Sequence, residues 1–224
     1  MRLSKEKMIE IIKQYKTIEK KPFIMEVLGT PNSGKTTAIQ TLEKILKRIN
    51  AKYIIIYEVA NKCEIEDKVS PDFNIWTMSE TIKLLIEAFN NDYDIIICER
   101  GILDTICWCN MFFNQEKLSK EEYKCITDFV LLKRFSSSFV CSCVMKCDVK
   151  TSIKRENLDE LLELKGSIVN ENVLEQYNFS LEKVCKEYAQ HFKKIDIIDT
   201  SEMDQTEINK SFVNFIFNNL SQAT

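Results

Sequence analysis

Residues 29–36 read Gly-Thr-Pro-Asn-Ser-Gly-Lys-Thr, and this octet decides the fold class. The six residues before it, Phe-Ile-Met-Glu-Val-Leu at 23–28, form an apolar run that predicts a strand. Residues 36–50 after it carry apolar side chains at helical spacing, namely Ile39, Leu42, Ile45, Leu46 and Ile49. The octet fits G-x-x-x-x-G-K-[ST] without a mismatch, and it stands between a strand and a helix as that pattern requires.

Each residue type in this loop has a physical reason. Gly29 and Gly34 let the backbone curl so that its N–H groups point inward at an anion, and the following helix adds the positive end of its dipole. Lys35 is expected to reach the β- and γ-phosphates of a nucleotide, and the Thr36 hydroxyl to hold Mg²⁺. We therefore predict ATP and Mg²⁺ as cofactors, with the nucleotide bound by Gly29, Asn32, Ser33, Gly34, Lys35, Thr36 and Thr37.

The composition is that of a globular protein. The chain has 224 residues, of which 45% are hydrophobic and 29% charged, enough for one domain with a substantial core. A net charge of −3 argues against a broad nucleic-acid surface, so no nucleic-acid partner is expected. No apolar run has the length of a membrane span and no leader opens the chain, which predicts a cytoplasmic protein without a membrane partner. The nine cysteines lack zinc-site spacing and are expected as reduced core residues.

Strand-like and helix-like segments alternate along the chain. Five strands are predicted at about 23–28, 51–58, 94–98, 138–145 and 194–198, with helices between them. This alternation indicates an α/β protein with three α/β/α layers and a parallel sheet. An amphipathic helix at 4–20 precedes the first strand, so residues 1–21 are predicted as a helical extension of a domain at 22–224. Capping-box patterns at Thr77/Glu80 and Ser119/Glu122 predict helix starts, the first after a loop at 59–76 and the second opening a helix to about 135.

Acidic residues end two of the predicted strands. Glu58 ends the second strand, and Glu99 followed by Arg100 ends the third. Ligands of open parallel sheets sit at the carboxyl ends of the strands, so these side chains are candidates for the site. A carboxylate at the place of Glu99 can hold Mg²⁺ together with Thr36. The rigid fork of Arg100 can contact phosphate or clamp an acid.

At these residues the chain resembles the deoxynucleoside kinase and thymidylate kinase branch of the P-loop kinases, over about residues 23–199. The resemblance implies sheet order 2-3-1-4-5, Glu58 as general base, Glu99 as the magnesium-associated acid and Arg100 as its partner. It also implies a lid at about 150–170 that contains Arg155, supported by Lys150, Lys154 and Lys165, and it suggests a homodimer. The chain departs from the family pattern in having Glu58-Val59 where Glu-Pro is usual, Gly101 where serine follows Glu-Arg, and one lid arginine.

Three functions stay open at this stage. A nucleoside acceptor needs a carboxylate to take its hydroxyl proton, whereas a thymidylate-like monophosphate needs cations; the few arginines favour the nucleoside. The third alternative is an ATPase switch that acts through a protein partner. The candidates for contacting the acceptor are Asp104 and the aromatic residues Phe73, Trp76, Trp108, Phe112 and Phe113.

Overall fold

One parallel sheet organises the chain. A computed structural model describes residues 4–161 and 170–222. Its strands are β1 (Phe23–Gly29), β2 (Tyr53–Ile56), β3 (Ile95–Glu99), β4 (Cys141–Lys146) and β5 (Ile195–Asp199). All pair in parallel, in the order β2-β3-β1-β4-β5. The predicted five-stranded sheet and its strand order are confirmed.

Helices cover both faces of this sheet. They are α1 (Lys5–Glu19), α2 (Lys35–Arg48), α3 (Pro71–Phe89), α4 (Ile102–Asn114), α5 (Lys120–Val130), α6 (Lys133–Ser136), α7 (Val149–Leu161), α8 (Glu171–Glu187) and α9 (Gln205–Gln222). Short 3₁₀ turns lie at Val59–Lys62 and Ala189–His191. Among the described residues, no helix has the length and apolar character to cross a membrane.

Alternating side chains of the strands divide the core into two layers. Ile96 points into one layer, which it shares with residues of α3, α4 and α8. Its neighbours Ile95 and Ile97 point into the other, against α1, α2 and α9. β1 is buried at every position, as expected for the central strand of a parallel sheet. The predicted three-layer α/β/α architecture is thus confirmed.

The N-terminal helix packs on the second of these layers. Ile11, Ile12 and Tyr15 of α1 are buried, and the Tyr15 ring meets the ring of Phe23 edge-on at 5.5 Å between centroids. The helix also contacts α9. The division into an extension at 1–21 and a domain at 22–224 stays a prediction.

Two predicted helix boundaries are wrong. α3 begins at Pro71 rather than after Thr77, because the Ser70 hydroxyl caps it by accepting the Phe73 N–H at 3.3 Å. The Thr77 hydroxyl donates to Asn74 O within the helix and caps nothing. The helix predicted to run to 135 ends at Val130 and is followed by α6. The capping box of Ser119 and Glu122 is confirmed.

The cysteines are all free, and every one except Cys125 is buried. Cys141 and Cys143 lie on one face of β4 within the second core layer. They pack as small apolar side chains, as predicted.

Candidate active site

The loop between β1 and α2 has the conformation that the octet predicts. Gly29 has φ 131°, and a Cβ added there would lie 2.1 Å from Met145 O of β4. Gly34 begins α2 with φ 88°. Both positions therefore require glycine, one for close approach to β4 and one for the left-handed turn into the helix. Asn32 between them also has a positive φ, 56°.

Lys35 is folded back onto the loop. Its Nζ donates to Gly29 O at 3.0 Å, to Thr30 O at 2.7 Å and to the Ser33 hydroxyl at 3.3 Å. The side chain is buried, and this burial lowers the pKa of Lys35 to about 8, with a further decrease from the charge of Arg100. The ammonium group is thus held beside the loop, where phosphate oxygens would replace its present acceptors.

Thr36 and Glu99 lie side by side at the start of α2 and the end of β3. The Thr36 hydroxyl donates to Glu99 Oε1 at 2.5 Å. The other carboxylate oxygen, Oε2, accepts the backbone N–H of Glu58 at 3.4 Å. Hydroxyl and carboxylate oxygens are the hard ligands that Mg²⁺ prefers, and it takes few from the protein when phosphates supply others. The two side chains therefore fit the predicted metal position.

A chain of charged contacts runs from the end of β2 to α8. Arg100 Nε lies 2.9 Å from Glu58 Oε2, and its Nη1 lies 3.2 Å from Asp104 Oδ1. The Tyr177 hydroxyl donates to the same Asp104 oxygen at 2.5 Å. Asp104 and Tyr177 are buried, whereas Glu58 is partly exposed. Glu58 is thus accessible to a ligand, and Arg100 fixes its orientation.

One cavity of about 920 Å³ is lined by Thr36, Glu58, Arg100 and Asp104 among others, whereas Glu99 does not form part of its wall. Glu99 is buried and accepts the hydroxyl of Thr36, which does line the cavity. Five of its lining residues belong to the loop after β1 and the start of α2, namely Asn32, Gly34, Lys35, Thr36 and Thr37. The wall also contains Glu58, Arg100 and aromatic side chains, among them Trp108, whose ring lies 4.7 Å from the ring of Tyr177. The structure therefore brings the predicted loop and both strand tips to a single opening.

The aromatic candidates separate into two groups. Phe73, Trp108 and Phe112 line the cavity, as does Asp104. Trp76 and Phe113 do not form part of its wall, and Phe113 stacks on Tyr123 with ring centroids 5.2 Å apart. Trp76 and Phe113 are therefore not in place to stack on a ligand of this cavity.

The predicted lid is described only in part. Arg155 of α7 lines the cavity but donates to three backbone carbonyls, Asn32 O at 3.0 Å, Thr200 O at 2.8 Å and Met203 O at 3.1 Å. It therefore joins the phosphate loop to the loop after β5. Lys165 and the rest of 162–169 lie outside the described residues.

Two residues of the cavity wall and one buried residue outside it were not predicted from the sequence. Asn74 and Tyr177 lie inside helices of ordinary composition, and only the tertiary packing places them in the cavity wall. Glu26 is fully buried in β1 and accepts three backbone N–H groups at the start of α4. Burial raises the pKa of Glu26 to about 8, although the three N–H donors oppose the shift. A lone acid inside an apolar strand was the signal that could have found it.

Similarity to known proteins is visible in structure rather than in sequence. No protein-family model matches the chain, and no curated protein is significantly similar to it. A deoxyadenosine kinase from M. mycoides with bound dATP superimposes with a TM-score of 0.62 at 21% identity, covering 88% of this chain and 99% of that chain. The same enzyme with bound dCTP gives 0.63 at 19% identity, covering 89% and 100%.

A third structure, deoxyadenosine kinase from M. mycoides with the products dCMP and a flexible dCDP, gives a TM-score of 0.64 at 20% identity, covering 89% of this chain and 100% of that chain. The chain therefore shares its fold with these deoxyadenosine kinases, over nearly the whole length of both.

Proposed function

We propose that this protein is an ATP- and Mg²⁺-dependent phosphotransferase that moves the γ-phosphoryl group to a hydroxyl of a nucleoside or nucleoside-like acceptor. The observation that carries the proposal is that Lys35, Thr36, Glu58 and Arg100 line one cavity. A phosphate donor and an acceptor bound in it would meet between these groups, which is the positioning that phosphoryl transfer requires.

Each group has a defined part in the transfer. Glu58 accepts the proton of the acceptor hydroxyl, whose oxygen bonds to the γ-phosphorus as the bond from that phosphorus to the β–γ bridging oxygen breaks. Lys35 and the N–H groups of the loop stabilise the charge that develops on the phosphoryl oxygens. Thr36 and Glu99 would hold Mg²⁺, which neutralises phosphate charge when bound.

The charges at the acceptor end favour a nucleoside over a monophosphate. Arg100 is already engaged by Glu58 and Asp104. Lys68 donates to Cys63 O at 2.7 Å and lies 4.8 Å from the centre of the Phe73 ring. Within the described wall of the cavity, neither cation at this end is left for a second phosphate. A neutral acceptor avoids the cost of an unpaired anion there.

The aromatic wall is suited to a nucleobase. Phe73, Trp108 and Phe112 offer ring faces or edges to the cavity, and an amphipathic base stacks on such surfaces. Asn74 adds an amide between them, and its Nδ2 is held by Thr105 O at 3.4 Å and Cys109 Sγ at 3.1 Å. The fixed amide gives this end one polar group that can distinguish bases.

The test is transfer from γ-labelled ATP to a panel of ribo- and deoxyribonucleosides, their monophosphates and water, with Mg²⁺ present. We expect labelled 5′-monophosphates from one or more nucleosides, and no product from the Lys35→Ala variant. Label transferred only to monophosphates would establish the thymidylate-like alternative. Release of free phosphate alone, unchanged by any acceptor, would replace the proposal by an ATPase switch.

A further inference from the structure

The helix that carries the acceptor side of the cavity begins without a cap of its own. The N-cap position of α4 is Gly101, which has no side chain to accept the free N–H groups of the first turn. Those groups point instead at Glu26 of β1: Oε1 accepts Gly101 N–H and Asp104 N–H at 3.0 Å each, and Oε2 accepts Leu103 N–H at 3.2 Å. A residue from the neighbouring strand thus takes the place of the N-cap.

Glu26 and Gly101 fit each other sterically. A Cβ added at Gly101 would lie 2.9 Å from Glu26 Cδ, 3.1 Å from Cγ and 3.2 Å from Oε1. With Glu26 in place, no residue larger than glycine fits without a shift of the buried carboxylate. In the families that the chain resembles, serine follows the Glu-Arg pair. A serine at Gly101 would collide with Glu26 here, and its hydroxyl would only repeat the cap that Glu26 already supplies.

The capped segment begins directly after the arginine of the site. Arg100 has φ 56°, a backbone conformation that residues with a Cβ rarely adopt. Its own N–H donates to Val27 O of β1 at 2.8 Å, and the next N–H, that of Gly101, goes to Glu26. β1 therefore holds the backbone on both sides of Arg100. The side chain held in this way is the one that contacts Glu58 and Asp104.

We propose that Glu26 is a positioning residue, which fixes the first turn of α4 and thereby sets Arg100 against Glu58. The inference rests on the proposed phosphotransferase function, because its effect is on the acceptor side of that reaction. Glu26 lies outside the cavity and touches no ligand position. It acts only through the backbone of residues 100–104.

The reciprocal fit of the pair allows a rescue experiment. Glu26→Ala removes the cap, and Gly101→Ser in the native background introduces the collision. In the double variant the space left by Glu26 admits the serine, whose hydroxyl can cap the turn at Asp104 N–H as an ordinary N-cap does. The expected result is that each single change lowers kcat by about 10- to 100-fold, with KM for ATP within about threefold, and that the double variant recovers most of kcat.

Ser142→Ala is the matched control. Ser142 is buried in β4 directly opposite Glu26 in the register, and its Oγ has no hydrogen-bond partner among the described residues. Removing this polar group should leave kcat unchanged. Glu26→Gln keeps one carbonyl oxygen but turns an NH₂ group toward an N–H donor. Its kcat should therefore lie between that of the wild type and that of Glu26→Ala.

The proposal is overturned if the double variant is as impaired as the product of the two single effects, or if Glu26→Ala keeps wild-type kcat. It is also overturned if kcat per nucleotide-binding site is unchanged in all variants, since Glu26 would then affect only the amount of folded protein. Should the wild type transfer phosphate to no acceptor, the proposed function fails, and amide exchange of Asp104, whose N–H both Glu26 and a serine at position 101 can accept, decides the capping. Slow exchange in the double variant and fast exchange in Glu26→Ala support it, and equal rates refute it.

Discussion

A triphosphate bound at the loop would change the surroundings of Lys35. Its ammonium group now donates to Gly29 O, Thr30 O and Ser33 Oγ. Phosphate oxygens must take over these contacts, and they also bring negative charge to a buried cation. The protonation of Lys35 is therefore linked to binding.

We expect the affinity for ATP with Mg²⁺ to fall as the pH rises through about 8, because burial lowers the pKa of Lys35 to about 8. Below that pH the ammonium is charged and attracts phosphate; above it the charge is lost unless binding takes up a proton. Calorimetry between about pH 7.5 and about pH 9.5 measures the affinity, and repeating it in buffers of different ionisation enthalpy measures the number of protons that binding takes up. An affinity that stays constant over this range without proton uptake would contradict the assignment. Lys35→Arg, which does not titrate here, is the control.

Glu58→Gln should spare ATP binding and lower transfer by about 100- to 10,000-fold, because an amide cannot take the hydroxyl proton. Glutamine keeps the size of the side chain that contacts Arg100. Glu66→Gln removes another acid from the cavity wall and should have a much smaller effect. Full activity of Glu58→Gln in the labelled-ATP assay would show that Glu58 is not the base.

Glu99→Gln should raise the Mg²⁺ concentration needed for half-maximal activity. Glu99 lies 2.5 Å from the Thr36 hydroxyl, so the change removes charge beside the proposed metal position. Thr36→Ser keeps the hydroxyl and should retain a nearly normal metal requirement. A magnesium titration of Glu99→Gln that overlays the wild type would move Glu99 out of the metal site.

At the scale of elements, the beginning of α3 shows why one boundary was mispredicted. Thr77 and Glu80 have capping-box spacing, but so do many pairs inside helices. The Ser70-Pro71 step was interpreted as part of a loop, although serine before proline is also a helix start. The tertiary packing decides between the two, since the buried Asn74 lies in the turn that the prediction left out.

Ser70→Ala should lower the free energy of unfolding by about 1 kcal/mol, through loss of the cap on Phe73 N–H. Thr77→Ala, at the rejected start, should change it by less than about 0.5 kcal/mol. Urea unfolding of both variants measures the difference. A larger loss at Thr77 than at Ser70 would contradict the observed boundary.

β1 and α4 mark the limit of what the sequence could predict in the site. The loop, Glu58, Glu99 and Arg100 were identifiable because each follows a strand pattern, and parallel strands end at one edge. Glu26 belongs to the strand itself, and its partners are backbone N–H groups of another element. Every residue except proline has a backbone N–H group, so the sequence does not indicate which of them Glu26 contacts. Only the three-dimensional structure shows the contact.

In the molecule as a whole, the order of the strands in the sheet determines where the candidate site lies. β3 lies between β1 and β2, with Val27 opposite Glu99 in the register, so the end of β3 stands beside the phosphate loop. β2 then brings Glu58 next to it. The order 2-3-1 thus places the phosphate loop, Glu99 and Glu58 in adjacent positions. Because one fold serves many activities, the function rests on these side chains rather than on the fold.

The most direct test of this account is the affinity for adenosine joined through a tetraphosphate to a nucleoside, compared with the affinity for ATP. The compound carries a nucleoside at each end and is expected to occupy the 920 Å³ cavity as donor and acceptor do together. Its tetraphosphate has one phosphate more than ATP, which bridges the gap between a separately bound donor and acceptor. We expect calorimetry with Mg²⁺ to show binding about 100-fold tighter than ATP, weakened in Lys35→Ala. Binding no tighter than that of ATP would contradict the claim that one cavity holds donor and acceptor together.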